Sequence, residues 1–320
     1  MLRPLALTLL LACPAHADVA AALDQIGQGY TGFATATAAL ADTAAQTCDA
    51  AALKPAFNAA FDAWMAVAHI HLGPIDHDGR ALAIAFWPDP KGLGAKAQRA
   101  LLMSDPALLE PNMFAQQSVA ARGLMGLERL LYAVQPPPAN PCPLIRATAT
   151  NLAQMAGDVA RDWPAFAQTL ATAGQPGNTA YLTGSEAKQA LFTQLATGME
   201  ALADGRIGRP LGTFDKPRPE RAEARASSRS LRNIGLSVAA LRDMALALDA
   251  DIPITTAAFD RVEKLAAALD DPTLAGVADP QGWLKVEILQ HSVRAARDAA
   301  VAELAPALGV GLGFNSQDGD

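Results

Sequence analysis

The sequence predicts an all-α fold, a two-lobed bundle made of two four-helix-bundle-like halves. Three observations point there. Of 320 residues 72 are alanine, and 51% of the chain is hydrophobic while only 5% is aromatic, a composition that suits closely packed helices better than β-branched, aromatic-rich sheets. Apolar residues recur at helical rather than alternating spacing. Glycine and proline fall between these stretches, where they act as stops. A chain of this length makes either one large domain or two of about 150 residues.

The elements follow in order. Residues 18–47 are rich in alanine with few breakers and read as a first helix. From Pro55, the residues Phe57, Phe61, Trp64, Met65 and Ala68 form one apolar stripe facing a core, and Gly73-Pro74 stops that helix. Residues 73–94 form an irregular segment too long for a plain connector and dense in functional side chains, the kind of loop that carries sites. Helical pattern resumes near Ala95, a longer helix is expected over 112–134, and a proline-rich break at 136–143 precedes a helix over 144–170. The run Gly174-Gln175-Pro176-Gly177-Asn178-Thr179 is a natural hinge, dividing the chain into halves 18–173 and 174–320. Ser185 is expected to cap a helix over 185–204. A proline- and charge-rich excursion over 206–219 comes next, then helices over 220–249, 255–269 and 280–305. The halves share a plan, but no residue-level repeat supports it.

The N-terminus reads as an export signal covering 1–17: Arg3 supplies the positive start, 5–12 the apolar run, and Ala15-His16-Ala17 a cleavage site before Asp18. The expected location is the periplasm or cell envelope. Leu10-Leu11-Ala12-Cys13 also resembles a lipoprotein box, which leaves lipid anchoring at Cys13 as the alternative. No stretch of about 18 uninterrupted apolar residues follows, so no integral membrane segment is expected. A net charge of -7 has the wrong sign for nucleic acid or an anionic membrane surface. Cys48 and Cys142 remain as an even pair in an oxidising compartment and are expected to form a disulfide, the alternative being two separately buried thiols.

Motifs are sparse. There is no H-E-x-x-H, C-x-x-C, G-x-S-x-G or phosphate loop. Ser185-Glu186-Ala187-Lys188 fits S-x-x-K, yet a helix cap explains it better, and Gly309-Val310-Gly311-Leu312-Gly313 reads as a tail. His69 and His71 stand two apart, about 200° around a continuous helix, so only an unwound end would let them share an ion. His77 between Asp76 and Asp78 has the chemistry of a metal or proton-transfer cluster, and a solvated loop explains it equally. Met125 and Glu128 lie one turn apart and face the same way on the 112–134 helix, where Leu124, Leu127, Leu130 and Leu131 supply the apolar stripe; a glutamate there needs a partner, the plain reading being an ion pair with an arginine within the bundle.

Taken together, several segments resemble the imelysin-like family of exported bacterial proteins, whose hallmark is G-x-H-x-x-E on a bundle helix. Here that place reads Gly123-Leu124-Met125-Gly126-Leu127-Glu128. Supporting segments are Gly73-Pro74, Phe86-Trp87-Pro88-Asp89, Phe214-Asp215-Lys216-Pro217-Arg218-Pro219 with Glu223 and Arg225 after it, and the tail from Gly313 through Phe314-Asn315-Ser316-Gln317-Asp318-Gly319-Asp320. The resemblance implies a two-lobed helical envelope protein tied to iron regulation or uptake, in a family that carries a metallopeptidase label. The family's histidine is Met125 here, and a thioether is a poor ligand for Zn(II) or Fe(II).

The expectation is therefore a periplasmic binding or accessory component in iron homeostasis, whose partner is a metal ion or small ligand. Alternatives are a metal-dependent peptidase and an envelope scaffold using the arginine-rich 206–232 surface to bind another protein. The pocket is expected between 73–94, the Glu128 helix and 213–229, with Asp89, Glu128, Arg218, Glu223, Arg225 and Arg229 close together, and Trp87, Asp215 and Met125 as further binding residues. Glu128, His69 and His71 are the candidate ligands for a divalent iron or zinc ion.

Overall fold

The computed structural model describes residues 19–311, and the expected signal segment, Cys13 and the tail beyond 311 lie outside the described residues. The described chain is helical throughout, its only extended pairing being an isolated bridge between Thr213 and Lys216.

Helix α1 (Val19–Gln46) buries Leu23, Ile26, Tyr30, Phe33, Thr37 and Leu40, spaced three or four apart, which is the stripe a helix needs to seat on a core. Asp49 caps α2 (Ala50–Met65) by accepting from Ala52 N–H, and Pro55 is accommodated near its start. The long α7 (Cys142–Ala171) runs antiparallel to α1: Trp163 Nε1 donates to Leu23 O at one end, and Arg146 Nε to Ala44 O at the other. Cys48 and Cys142 are disulfide-bonded at the corner where α1 gives way to α2, with Cα atoms 5.3 Å apart. The second half packs α8 (Gly184–Glu200), α10 (Ser230–Leu248), α11 (Pro253–Ala267) and α12 (Pro280–Leu308). One buried apolar core runs from Ala22 to Leu308 through both halves. A small satellite cluster of Leu101, Phe114, Ala121 and Leu144 sits under the connecting segment.

Three expected helices differ. The one over 112–134 is broken into α5 (Pro111–Phe114), a 3-10 turn at Val119–Ala121 and α6 (Gly123–Leu131). Gly123 is the reason: its φ is +66°, and a side chain there would meet the carbonyl oxygens of Ala83 and Ile84 at 2.2 Å, so only glycine lets α6 dock on α3 (Arg80–Ile84). The one over 220–249 starts at Ser230, because 219–229 forms turns with Ala224 and Ser228 at positive φ. The second-half helix starts a residue early: Thr183, not Ser185, caps α8 by accepting from Glu186 N–H, while Ser185 Oγ donates to Gly309 O. Nor does that helix stop at Gly205. It continues as a π-helical stretch, Ala201–Ile207, into α9 (Gly208–Leu211). Gln290 of α12 donates to Ala203 O from Nε2, 2.9 Å away, a second donor to a carbonyl in the widened turn that also accepts from Gly208 N–H. Residues 73–94 are irregular as expected, with short 3-10 turns, α3, and an extended run leading into α4 (Leu93–Leu102).

Candidate functional site

Charged residues gather where the two halves meet. Glu128 on α6 is 4% exposed. Its Oε1 accepts from Ser227 N–H at 2.9 Å and from Ser227 Oγ at 2.6 Å. Burial pushes its pKa up; the Ser227 hydrogen bonds and the Arg129 charge pull against that, and Glu223 adds to it, leaving the carboxyl above its usual value. Beside it, Glu223 accepts from Arg206 Nε at 2.9 Å and Asn233 Nδ2 at 3.1 Å. Arg229, buried against the Phe61 ring, donates to Asn58 Oδ1 and pairs with Asp62, which Arg232 also holds. Partial burial pushes the Asp62 pKa up, but the two guanidiniums outweigh it and hold the carboxyl below its usual value.

The expected cluster is thus only partly assembled. Glu128 and Glu223 are neighbours in this seam, and Arg229 follows Ser227 on the same turn segment. Asp89 instead caps α4, accepting from the N–H groups of Leu93 and Gly94, and acts on the seam only through the charge of Arg129. Arg218 faces Glu220 at the surface, Asp215 is exposed in the Thr213–Lys216 turn, and Arg225 is exposed in another turn. Met125 is packed in the core.

The histidines lie beyond the end of α2, in unwound chain. His69 is buried beside Gly198, its Nε2 has no hydrogen-bond partner, and burial above all, with the charges of His71 and Arg206, brings its pKa down to about 3. His71 gives its backbone N–H to Gln194 Oε1, and its imidazole pKa is lowered mainly by desolvation. Among the described residues no three His, Cys, Asp or Glu side chains are grouped to hold a metal ion. A resident zinc or iron ion of the kind the resemblance implies therefore does not fit this donor set, which also has Met125 where an imidazole would be needed.

Next to the seam opens a cleft of about 560 Å³ between the 64–88 segment and the π-helical stretch. Trp64, His71, Asp76 and Trp87 form one wall and Arg206, Arg209 and Glu223 the other. The Arg209 guanidinium lies over the Trp87 ring, 5.7 Å from its centroid, a cation–π contact. Under this wall the Tyr30 hydroxyl is buried without a partner, and burial first, then the Asp76 charge, keep it protonated. Sequence reasoning named Trp87 and Glu223 but neither Arg206 nor Arg209 as site residues. The one available signal was Gly205-Arg206-Ile207-Gly208-Arg209, two glycines flanking basic residues at the end of an otherwise regular helix.

The family model for Imelysin, peptidase family M75, matches residues 26–300. The chain belongs to the imelysin family. It is 24% identical over 319 residues to iron-regulated protein A of Synechococcus elongatus, covering 92% of this chain and 82% of that one. Its fold is similar to the crystal structure of an imelysin-like protein from Psychrobacter arcticum, with a TM-score of 0.73 at 20% identity over 92% of this chain and 94% of the other. An iron-regulated protein A precursor from Parabacteroides distasonis aligns with a TM-score of 0.62 at 12% identity, covering 92% and 97%. No helix among the described residues is long and apolar enough to cross a membrane.

Proposed function

We propose that this imelysin is an exported binding component of iron homeostasis, and that its ligand seats in the cleft between Trp87 and the π-helical stretch. The iron link rests on the names its relatives carry. Export is supported by the signal-like 1–17 segment, the disulfide and the word precursor in one relative's name. The observation that carries the binding reading is the cleft itself: it is of ligand-site size, with aromatic rings and charged groups on facing walls, while the motif glutamate beside it is committed to Ser227.

A metallopeptidase needs an ion on about three protein ligands with an open position for water, and the donors present do not offer that. The test is native mass spectrometry of the protein purified from the periplasm of iron-starved cells. A mature N-terminus at Asp18 and a bound mass that is released on unfolding and absent from Trp87→Ala are expected. A cytoplasmic protein, no bound mass, or protease activity abolished by a chelator would overturn the reading.

A further inference from the structure

Two charged side chains in the cleft stand out because each lacks an ionic partner. Acidic residues near the π-helical stretch are taken: Glu223 by Arg206, Asp204 by Arg294 and Glu200 by Arg297. Arg209, by contrast, has no ion pair or hydrogen bond among the described residues, and its guanidinium lies over the Trp87 ring. On the opposite wall the Asp76 carboxylate likewise has no ion pair or hydrogen bond among the described residues; Arg80, close by in the chain, is engaged by Pro74 O and Asp162. His71 lines the cleft with Asp76; desolvation lowers its imidazole pKa and the Asp76 charge pulls against that.

With the Arg206–Glu223 pair neutral as a unit, the cleft presents one uncompensated cation and one uncompensated anion on facing walls. A bare anion would leave Asp76 unmatched, and a bare cation would leave Arg209 unmatched. A metal ion alone finds no donor set and would fill little of 560 Å³. The same cleft is lined by the Trp87 ring and the exposed Leu82, apolar surface for an uncharged body. Arg209 is already oriented by stacking on that ring, so a carboxylate loses little freedom in meeting it.

We propose that the cleft binds a zwitterion of amino-acid type, a free amino acid or a short peptide with unblocked termini, its carboxylate on Arg209, its ammonium at Asp76 and its side chain over Trp87 and Leu82. This rests on the cleft being the ligand site. Calorimetry on the full chain tests it with alanyl-leucine, its N-acetyl and C-amide forms, and free leucine. Blocking either end of the dipeptide weakens binding at least tenfold, the effect of losing one good charged contact. Arg209→Gln erases the preference for the free acid over the amide and leaves the preference for the free amine. Asp76→Asn does the reverse. Leucine binding as tightly as the dipeptide identifies the free amino acid as the source, and weaker leucine binding identifies the peptide. Equal affinity for free and blocked forms, or no heat from any of these compounds at millimolar concentration, overturns the proposal. A bound mass that Trp87→Ala removes but that neither charge variant affects would do the same, leaving the cleft reading intact.

Discussion

Glu128 and Arg209 are both charged, both stand where the halves meet, and are treated in opposite ways. Glu128 is sealed under Ser227, held by hydrogen bonds and raised in pKa by burial. Arg209 reaches solvent, stacks on Trp87 and has no counter-charge. Elaborate bonding around a buried acid signals that the fold has already used its chemistry. A charge left unpaired but oriented is one that a ligand can use. The two residues lie on elements of matching character, α6 being locked against backbone at Gly123 and α9, which carries Arg209, following directly on the widened turn that lines the cleft.

If that contrast is right, damage to the motif side shows up as lost stability and damage to the cleft side as lost binding. The largest expected effect is Gly123→Ala. A methyl group there meets two backbone oxygens at 2.2 Å in a left-handed conformation, and a loss of about 3 kcal/mol or more is expected in urea unfolding. Next comes Arg229→Ala, which removes one of two guanidiniums from Asp62 and empties the space beside Phe61; about 2–3 kcal/mol should go. Because the Asp62 pKa is lowered in the folded state, its contribution is complete above the ordinary carboxylate range and is lost as pH falls through the folded value. Unfolding measured from pH 7 to 2 should therefore be less acid-sensitive in Arg229→Ala than in the parent.

Glu128→Gln runs the other way. A raised pKa means that the folded state favours the protonated acid, so stability falls as pH rises from the ordinary carboxyl value to the folded one. The amide should raise stability at pH 7 by about 1 kcal/mol, keeping a hydrogen bond to Ser227 without the buried charge. That gain should vanish below pH 4, and a stability loss at pH 7 would show that Glu128 is needed as an anion. The smallest effect on stability belongs to Arg209→Ala, within about 0.5 kcal/mol as for an exposed residue, and thermal melts would check it alongside the loss of ligand.

Much of this was legible in the sequence, for reasons that differ by residue. Phe57, Phe61 and Trp64 gave α2 away because a buried face repeats with the helical period. Cys48 and Cys142 paired as their even number and the signal segment suggested. Gly123 was read as the head of a motif, but not as a break, since the oxygens that demand glycine come from Ala83 and Ile84, some forty residues earlier. Asp215, Arg218 and Arg225 entered through adjacency to recognisable segments, and adjacency says nothing of which way a turn faces. Arg209 was missed because the prolines and charges of 206–219 read as an irregular excursion, whereas a π-helical turn carries the helix on to Leu211 and sets Arg209 against Trp87.

Gln290 gives that turn a genealogical meaning. A π-helical turn behaves as an α-helix that has accepted one extra residue and absorbed it locally; here Gly208 N–H reaches back five residues to Ala203 O, and Gln290 Nε2 is a second donor to the same oxygen. Because the widened turn takes up the extra residue, the helix beyond it keeps the path an ordinary helix would follow, and α9 still carries Arg209 to the Trp87 ring. What the extra residue changes is the turn itself, the stretch from which Gly205 and Arg206 line the cleft. The length of this segment is thus as much a part of the site as its side chains.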